Sequence, residues 1–157
     1  MKEIFRFVPV IKTPLWGQED WVIAAHANGD DTVTGGRFAG YTLNRLWQEH
    51  RELFGGLPGA SFPLLIKKIR AEQDLSIQVH PDDAYAWEHE NHSLGKSECW
   101  YIIKCRADAR LILGHHARSR AEAEVMIREN RWKDFLRSVP VHAGDFFEIN
   151  PGTIHAI

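Results

Sequence analysis

The chain has 157 residues, 44% of them apolar and 25% charged, and a formal net charge of −2 with its histidines neutral. A chain this long buries about 70% of its unfolded surface without covalent staples, and its near-balanced charge gives no electrostatic reason to bind nucleic acid or a membrane surface. No apolar run approaches the roughly 20 residues of a membrane span, and Arg6 and Pro9 break the short apolar stretch at the N-terminus, so no signal peptide is expected.

The first candidate strand in chain order is WVIAAHA (21–27), closed by the turn cluster NGDD. TLNRLWQEHRELFGG then places Leu43, Leu46, Trp47, Leu53 and Phe54 near one helical face, with Thr42 as cap and Gly55 as stop. FPLLIKKI (62–69) and LSIQVH (75–80) read as further strands. In the latter, Leu75, Ile77 and Val79 should face a core, while Ser76, Gln78 and His80 face the other side. Asp82 and Asp83 read as turn residues. ECWYIIKC (98–105) and ARLILGH (109–115) follow as strands.

A second helix begins where Ser119 and Glu122 have capping-box spacing, with Val125, Met126 and Trp132 as core contacts. GDFFEI (144–149) is the last clear strand, before the turn NPGT. Strands this frequent, without a helix between each pair, argue against a parallel α/β sheet. The expectation is a mainly β, antiparallel sandwich or barrel forming one domain over 1–157, with helical insertions near 42–54 and 119–137. Cys99 and Cys105 would lie about 20 Å apart if ECWYIIKC is one strand, too far to bridge. Free thiols suit the cytoplasm.

Four polar residues stand out as candidate ligands. Gln78 and His80 share a strand face, Glu98 opens an apolar strand, and His155 lies between Ile154 and Ala156 after a tight turn. A carboxylate among apolar residues is costly unless paired or bound to a cation. Two imidazoles, a carboxylate and an amide oxygen suit a borderline divalent metal such as Zn²⁺, and an open position would make it a Lewis acid. The same residues also fit ordinary satisfied polar groups. Spacing does not decide between the two.

GDFFEINPGTIHAI resembles the second cupin motif, with Gly144, Gly152 and His155 at its positions. PLLIKKIRAEQDLSIQVHPDD, GKSECWYII and VPVHAGDFFEINPGTIHAI resemble class I mannose-6-phosphate isomerases, as do WVIAAHANGD and LWQEHRELFG in the same order. The resemblance implies a cupin-type jelly roll with one or two appended helices. It also implies zinc, one ion per chain, held by Gln78, His80, Glu98 and His155. Lys96 matches an active-site lysine, Lys67 and Ser76 match positions that hold the sugar phosphate, and Trp16 matches a residue lining the pocket.

The reaction implied is the interconversion of mannose 6-phosphate and fructose 6-phosphate. A sugar phosphate is then the small-molecule partner, with no nucleic acid or membrane, in the cytoplasm. Members of that family are about twice as long and carry an active-site arginine in their second half, so a truncated version of the fold is expected here. Two other readings stay open at this point: a metal- or sugar-binding cupin module without catalysis, and an isomerase of a free aldose. Neither the oligomeric state nor the catalytic base is legible.

Overall fold

A computed structural model of the chain describes residues 4–157. They form two compact units, divided between Gln73 and Asp74. In the first, strands β1 (Phe7–Val8), β2 (Val10–Lys12), β3 (Gly17–Ile23), β4 (Ala25–His26), β5 (Gly29–Asp30) and β6 (Thr32–Val33) precede helix α1 (Leu43–Glu49) and strand β7 (Ile66–Ala71). All pair antiparallel: β3 runs between β2 and β7, while β1 pairs β6 and β4 pairs β5. The strand expected over 21–27 is divided between the end of β3 and β4, and that expected over 62–69 is present as β7 with shifted bounds.

Helix α1 forms as its sequence dictates. Thr42 caps it by accepting the Arg45 N–H at 3.2 Å, and Leu43, Leu46 and Trp47 bury one face. A single turn of 3₁₀ helix over Arg51–Phe54 carries Leu53 and Phe54 back onto the core of Val33, Phe38 and Leu46. It ends at Gly55, whose φ of 68° is the left-handed stop expected there. Asp31, fully buried, accepts the N–H groups of Val10 and Ala24, and its own carbonyl accepts that of Leu43. Burial pushes this carboxyl above its usual range, against the two amide hydrogen bonds.

The second unit contains α2 (Asp83–His89), β8 (Glu98–Tyr101), β9 (Arg110–His115), α3 (Arg120–Arg128), α4 (Trp132–Phe135), β10 (Leu136–Pro140), β11 (Phe146–Ile149) and β12 (His155–Ala156). β9 runs between β10 and β12, and β8 pairs β11, again antiparallel throughout. Ser119 caps α3 by accepting the Glu122 N–H, and the Glu122 carboxylate reaches back to the Arg118 N–H. That is the expected capping box, set one residue further out. Met126 is buried, whereas Trp132 is 41% exposed and lies edge-on to Phe135 rather than inside the core. Among the described residues no helix is long and apolar enough to cross a membrane.

Two readings of the sequence need correction. Asp82 and Asp83 are the start of α2: the Asp82 carboxylate accepts the Tyr85 N–H at 2.8 Å as its cap. A helix of only seven residues carries too little periodicity to be seen beside such a turn-like start. Residues 75–80 do run extended, but Ile77 and Val79 are 49% and 56% exposed instead of buried. Alternation fixes the side on which apolar residues lie. It does not supply a layer to cover them.

Candidate metal centre

The centre is assembled by one strand pairing and one turn. Gln78 and His155 exchange both backbone hydrogen bonds at 2.9 Å, and the Leu75 N–H reaches the Ile157 carbonyl. Residues 75–80 therefore lie antiparallel beside β12. Directly opposed residues point to one face of a sheet, so Gln78, and His80 two places on, share the face of His155. The NPGT segment forms a tight turn in which the Thr153 N–H bonds the Asn150 carbonyl, with Gly152 at φ 80°. That positive φ at the third position is the type II requirement that selects glycine. The Gly152 N–H also donates to the His80 carbonyl at 2.8 Å, which ties the turn to the first histidine. Glu98 enters from β8.

Three acceptor atoms converge there. Nε2 of His80 and Nε2 of His155 lie 3.0 and 3.1 Å from the same Glu98 oxygen, Oε2. His155 is 2% exposed, and its Nδ1 lies 2.8 Å from the Thr153 carbonyl. A carbonyl can only accept, so Nδ1 carries the hydrogen and Nε2 of the neutral ring presents a lone pair. This buried Nε2 has no hydrogen-bond partner. A lone pair aimed at a carboxylate oxygen is unfavourable unless a cation or proton comes between them. Four ligands at zinc distances stand about 3.3 Å apart in a tetrahedron, close to the spacings seen. The donor set fits a divalent metal ion, and His80, Glu98 and His155 form a possible metal-binding triad.

Lys96 supplies the local positive charge. Its Nζ lies 3.0 Å from His80 Nε2 and 2.9 Å from Glu98 Oε1. Burial alone would raise the Glu98 carboxyl, but the hydrogen bond and charge of Lys96, with the two imidazoles, outweigh it and hold it below its ordinary value. Burial, and then the Lys96 charge, lowers the pKa of His80 despite Glu98 beside it. Both shifts favour the ligand forms, a carboxylate and a neutral imidazole.

Six of the eight residues singled out in the sequence, Ser76, Gln78, His80, Lys96, Glu98 and His155, thus lie on the segments that build this centre. Gln78 is on the right face, although its amide Nε2 makes only a long 3.5 Å contact to the Ser76 carbonyl. Ser76 is exposed, two residues before it. Lys67 and Trp16 belong to the first unit and have partners there. Lys67 Nζ pairs with Glu19 Oε2 at 3.0 Å and lies 4.7 Å above the Trp21 ring. Trp16 is half-buried, and its carbonyl accepts the N–H groups of Glu72 and Gln73. The sequence reading passed over Trp100, which packs edge-on to His155 with ring centroids 5.5 Å apart. Its place two residues after Glu98 on β8 was the available signal.

Antiparallel sheets with a His–Glu–His cluster between β8, β12 and the 75–80 segment define a metal-site fold of the cupin kind. A family model described as phosphomannose isomerase type I, catalytic domain, matches residues 8–98. The chain belongs to the type I phosphomannose isomerase family.

Mannose-6-phosphate isomerase ManA of Bacillus subtilis is 48% identical over 167 residues, covering 96% of this chain and 53% of that protein. The mannose-6-phosphate isomerase of Streptococcus mutans is 50% identical over 139 residues, covering 88% and 44%. A crystal structure of the Bacillus subtilis mannose 6-phosphate isomerase superposes with a TM-score of 0.95 at 43% identity, over 98% of this chain and 54% of that one. The chain spans about half the length of the curated relatives it matches.

Proposed function

We propose that this chain carries the zinc centre of an aldose–ketose isomerase acting on a sugar phosphate, interconverting mannose 6-phosphate and fructose 6-phosphate in the cytoplasm. His80, Glu98 and His155 hold the zinc, with Gln78 as fourth protein ligand. The single observation that carries the reading is the buried, unpartnered Nε2 of His155 facing Glu98 Oε2 beside the Lys96 ammonium. Family membership and the similarity to mannose-6-phosphate isomerases support the substrate.

The reaction moves a carbonyl from C1 to C2 of the sugar, so a proton leaves the carbon beside a carbonyl and returns to its neighbour. Zinc, when bound, supplies Lewis-acid stabilisation of the negative charge that develops on the sugar oxygens. The protein's share is positioning and proton handling. Thr153 fixes the His155 ring so that its Nε2 faces the centre. Glu98 holds the Lys96 ammonium at the mouth of the site, where it donates to a sugar oxygen or carries a proton. Ser76 lies on the face that carries Gln78 and His80 and reaches the phosphate; Lys67, a point charge for the phosphate, and Trp16, a sugar-pocket residue, take their roles from the family resemblance alone.

The test is a coupled turnover assay on mannose 6-phosphate, run with and without chelator. Turnover that chelation abolishes and zinc restores is expected. A folded, zinc-loaded sample without turnover would leave a metal-binding module in its place.

A further inference from the structure

We propose that Asp83 is a positioning residue for Lys96, working through Gly95; the catalytic part of this inference rests on the reading above, in which Lys96 acts on the sugar. Asp83 lies outside the ligand cluster, three residues after His80 in the first turn of α2. Its Oδ1 accepts the Gly95 N–H at 2.8 Å. The neighbouring Lys96 N–H donates to the Pro81 carbonyl at 3.0 Å. Two consecutive amides of the lysine loop are thus bonded to the turn that follows the ligand histidine.

The contact is too close for a side chain. A Cβ on Gly95 would stand 2.4 Å from the Asp82 carbonyl carbon, 2.6 Å from the Asp83 nitrogen and 2.7 Å from the Pro81 oxygen. All three are backbone atoms with no rotamer to give way. Glycine is required because the loop must lie directly on that turn. The return path from α2 is held as well. Asn91 and His92 both sit in the left-handed region, at φ 53° and 59°, and His92 meets the Trp87 ring edge-on at 4.6 Å. Non-glycine residues persist there only where surrounding contacts hold them.

Lys96 then projects from a backbone fixed at two points, and its Nζ reaches His80 and Glu98. Anchoring the backbone fixes where the Lys96 side chain starts, and the contacts with His80 and Glu98 then select the rotamer that places its ammonium. Asp82 and Asp83 divide the work at this turn: the first caps α2 and the second holds the lysine loop.

A carboxylate in the first turn of a helix also favours the helix dipole, and the two roles separate by substitution. Asp83→Asn removes the charge and keeps the acceptor oxygen, whereas Asp83→Ala removes both. Amide hydrogen exchange at Gly95, read by NMR, reports the bond itself. Exchange should be slowed about tenfold in the wild type and in Asp83→Asn, and released in Asp83→Ala. In zinc-loaded full chain, Asp83→Ala should lose about 10- to 100-fold in kcat with KM within about twofold, and Asp83→Asn should stay within about threefold of wild type.

An unprotected Gly95 amide in the wild type overturns the proposal, and that result needs no variant to fold. Retained protection in a folded Asp83→Ala chain overturns it equally, as does Asp83→Asn failing like alanine. If the wild type turns over no mannose 6-phosphate while the exchange pattern holds, the isomerase reading fails and the anchoring of Lys96 stands.

Discussion

Two lysines, one in each unit, meet very different surroundings. Lys67 lies against Glu19 and over Trp21, and Glu19 also accepts the Trp21 indole N–H. The carboxylate, the ammonium and the indole hydrogen all have complements, and the cluster's charges balance without a metal ion. Lys96 faces His80 and Glu98, yet His155 Nε2 remains unpartnered beside the same carboxylate. Acceptors outnumber donors there. A buried cluster with surplus lone pairs calls for a cation, whereas a balanced one calls for no metal ion. The contrast distinguishes a metal centre from an ion pair built of similar residue types.

The largest effect should come from the surplus acceptor. His155→Ala is expected to weaken zinc binding by more than about 100-fold, beyond what supporting residues cost, in competition with a chromophoric chelator. A loss under about tenfold would place the ion elsewhere. Lys96→Ala should separate chemistry from binding. Turnover of mannose 6-phosphate should fall on the order of 100-fold, while zinc binds at least as tightly, because a cation next to two of its ligands has gone. Full turnover in a zinc-loaded Lys96→Ala chain would remove the lysine from the mechanism.

The metal-free chain should lose stability in acid. His80 and Glu98 are both held below their ordinary values of 6.5 and 4.5. A depressed group resists protonation when folded, so its contribution is present above the ordinary value and is lost as pH falls through the folded one. Thermal melts of the metal-free chain should therefore decline first below about pH 6.5 and again below about 4.5. His80→Gln should flatten the first decline. A first decline of undiminished size in that variant would assign it to another group.

The smallest effect belongs to the balanced cluster. Glu19→Gln is expected to cost about 1 kcal/mol in urea unfolding, given that Lys67 stays partly exposed to water. Its zinc affinity should stay within about twofold of wild type. A large loss of zinc affinity would show that the two clusters do not differ in the way described.

Much of the centre was legible because the strand period and the NPGT turn act locally. Gln78 and His80 had to share a face once 75–80 was extended, and Gly152 announced the turn that presents His155. The antiparallel class and helix α1 were legible for the same reason, with Thr42 and Gly55 acting where expected. What the sequence concealed is set by long-range contacts. The Gly95 contact with residues 81–83 joins segments twelve or more residues apart. The short strands β1, β2, β5 and β6 exist only through their partners. The exposure of Ile77 and Val79 shows the limit of alternation as a guide to burial.

Anomalous scattering at the zinc edge, from crystals grown with zinc, tests the metal centre most directly. A single peak about 2.0–2.2 Å from His80 Nε2, His155 Nε2 and a Glu98 oxygen is expected, with Lys96 Nζ moved away from His80. A zinc-saturated crystal with no peak at these three atoms, and Lys96 still between His80 and Glu98, would contradict it.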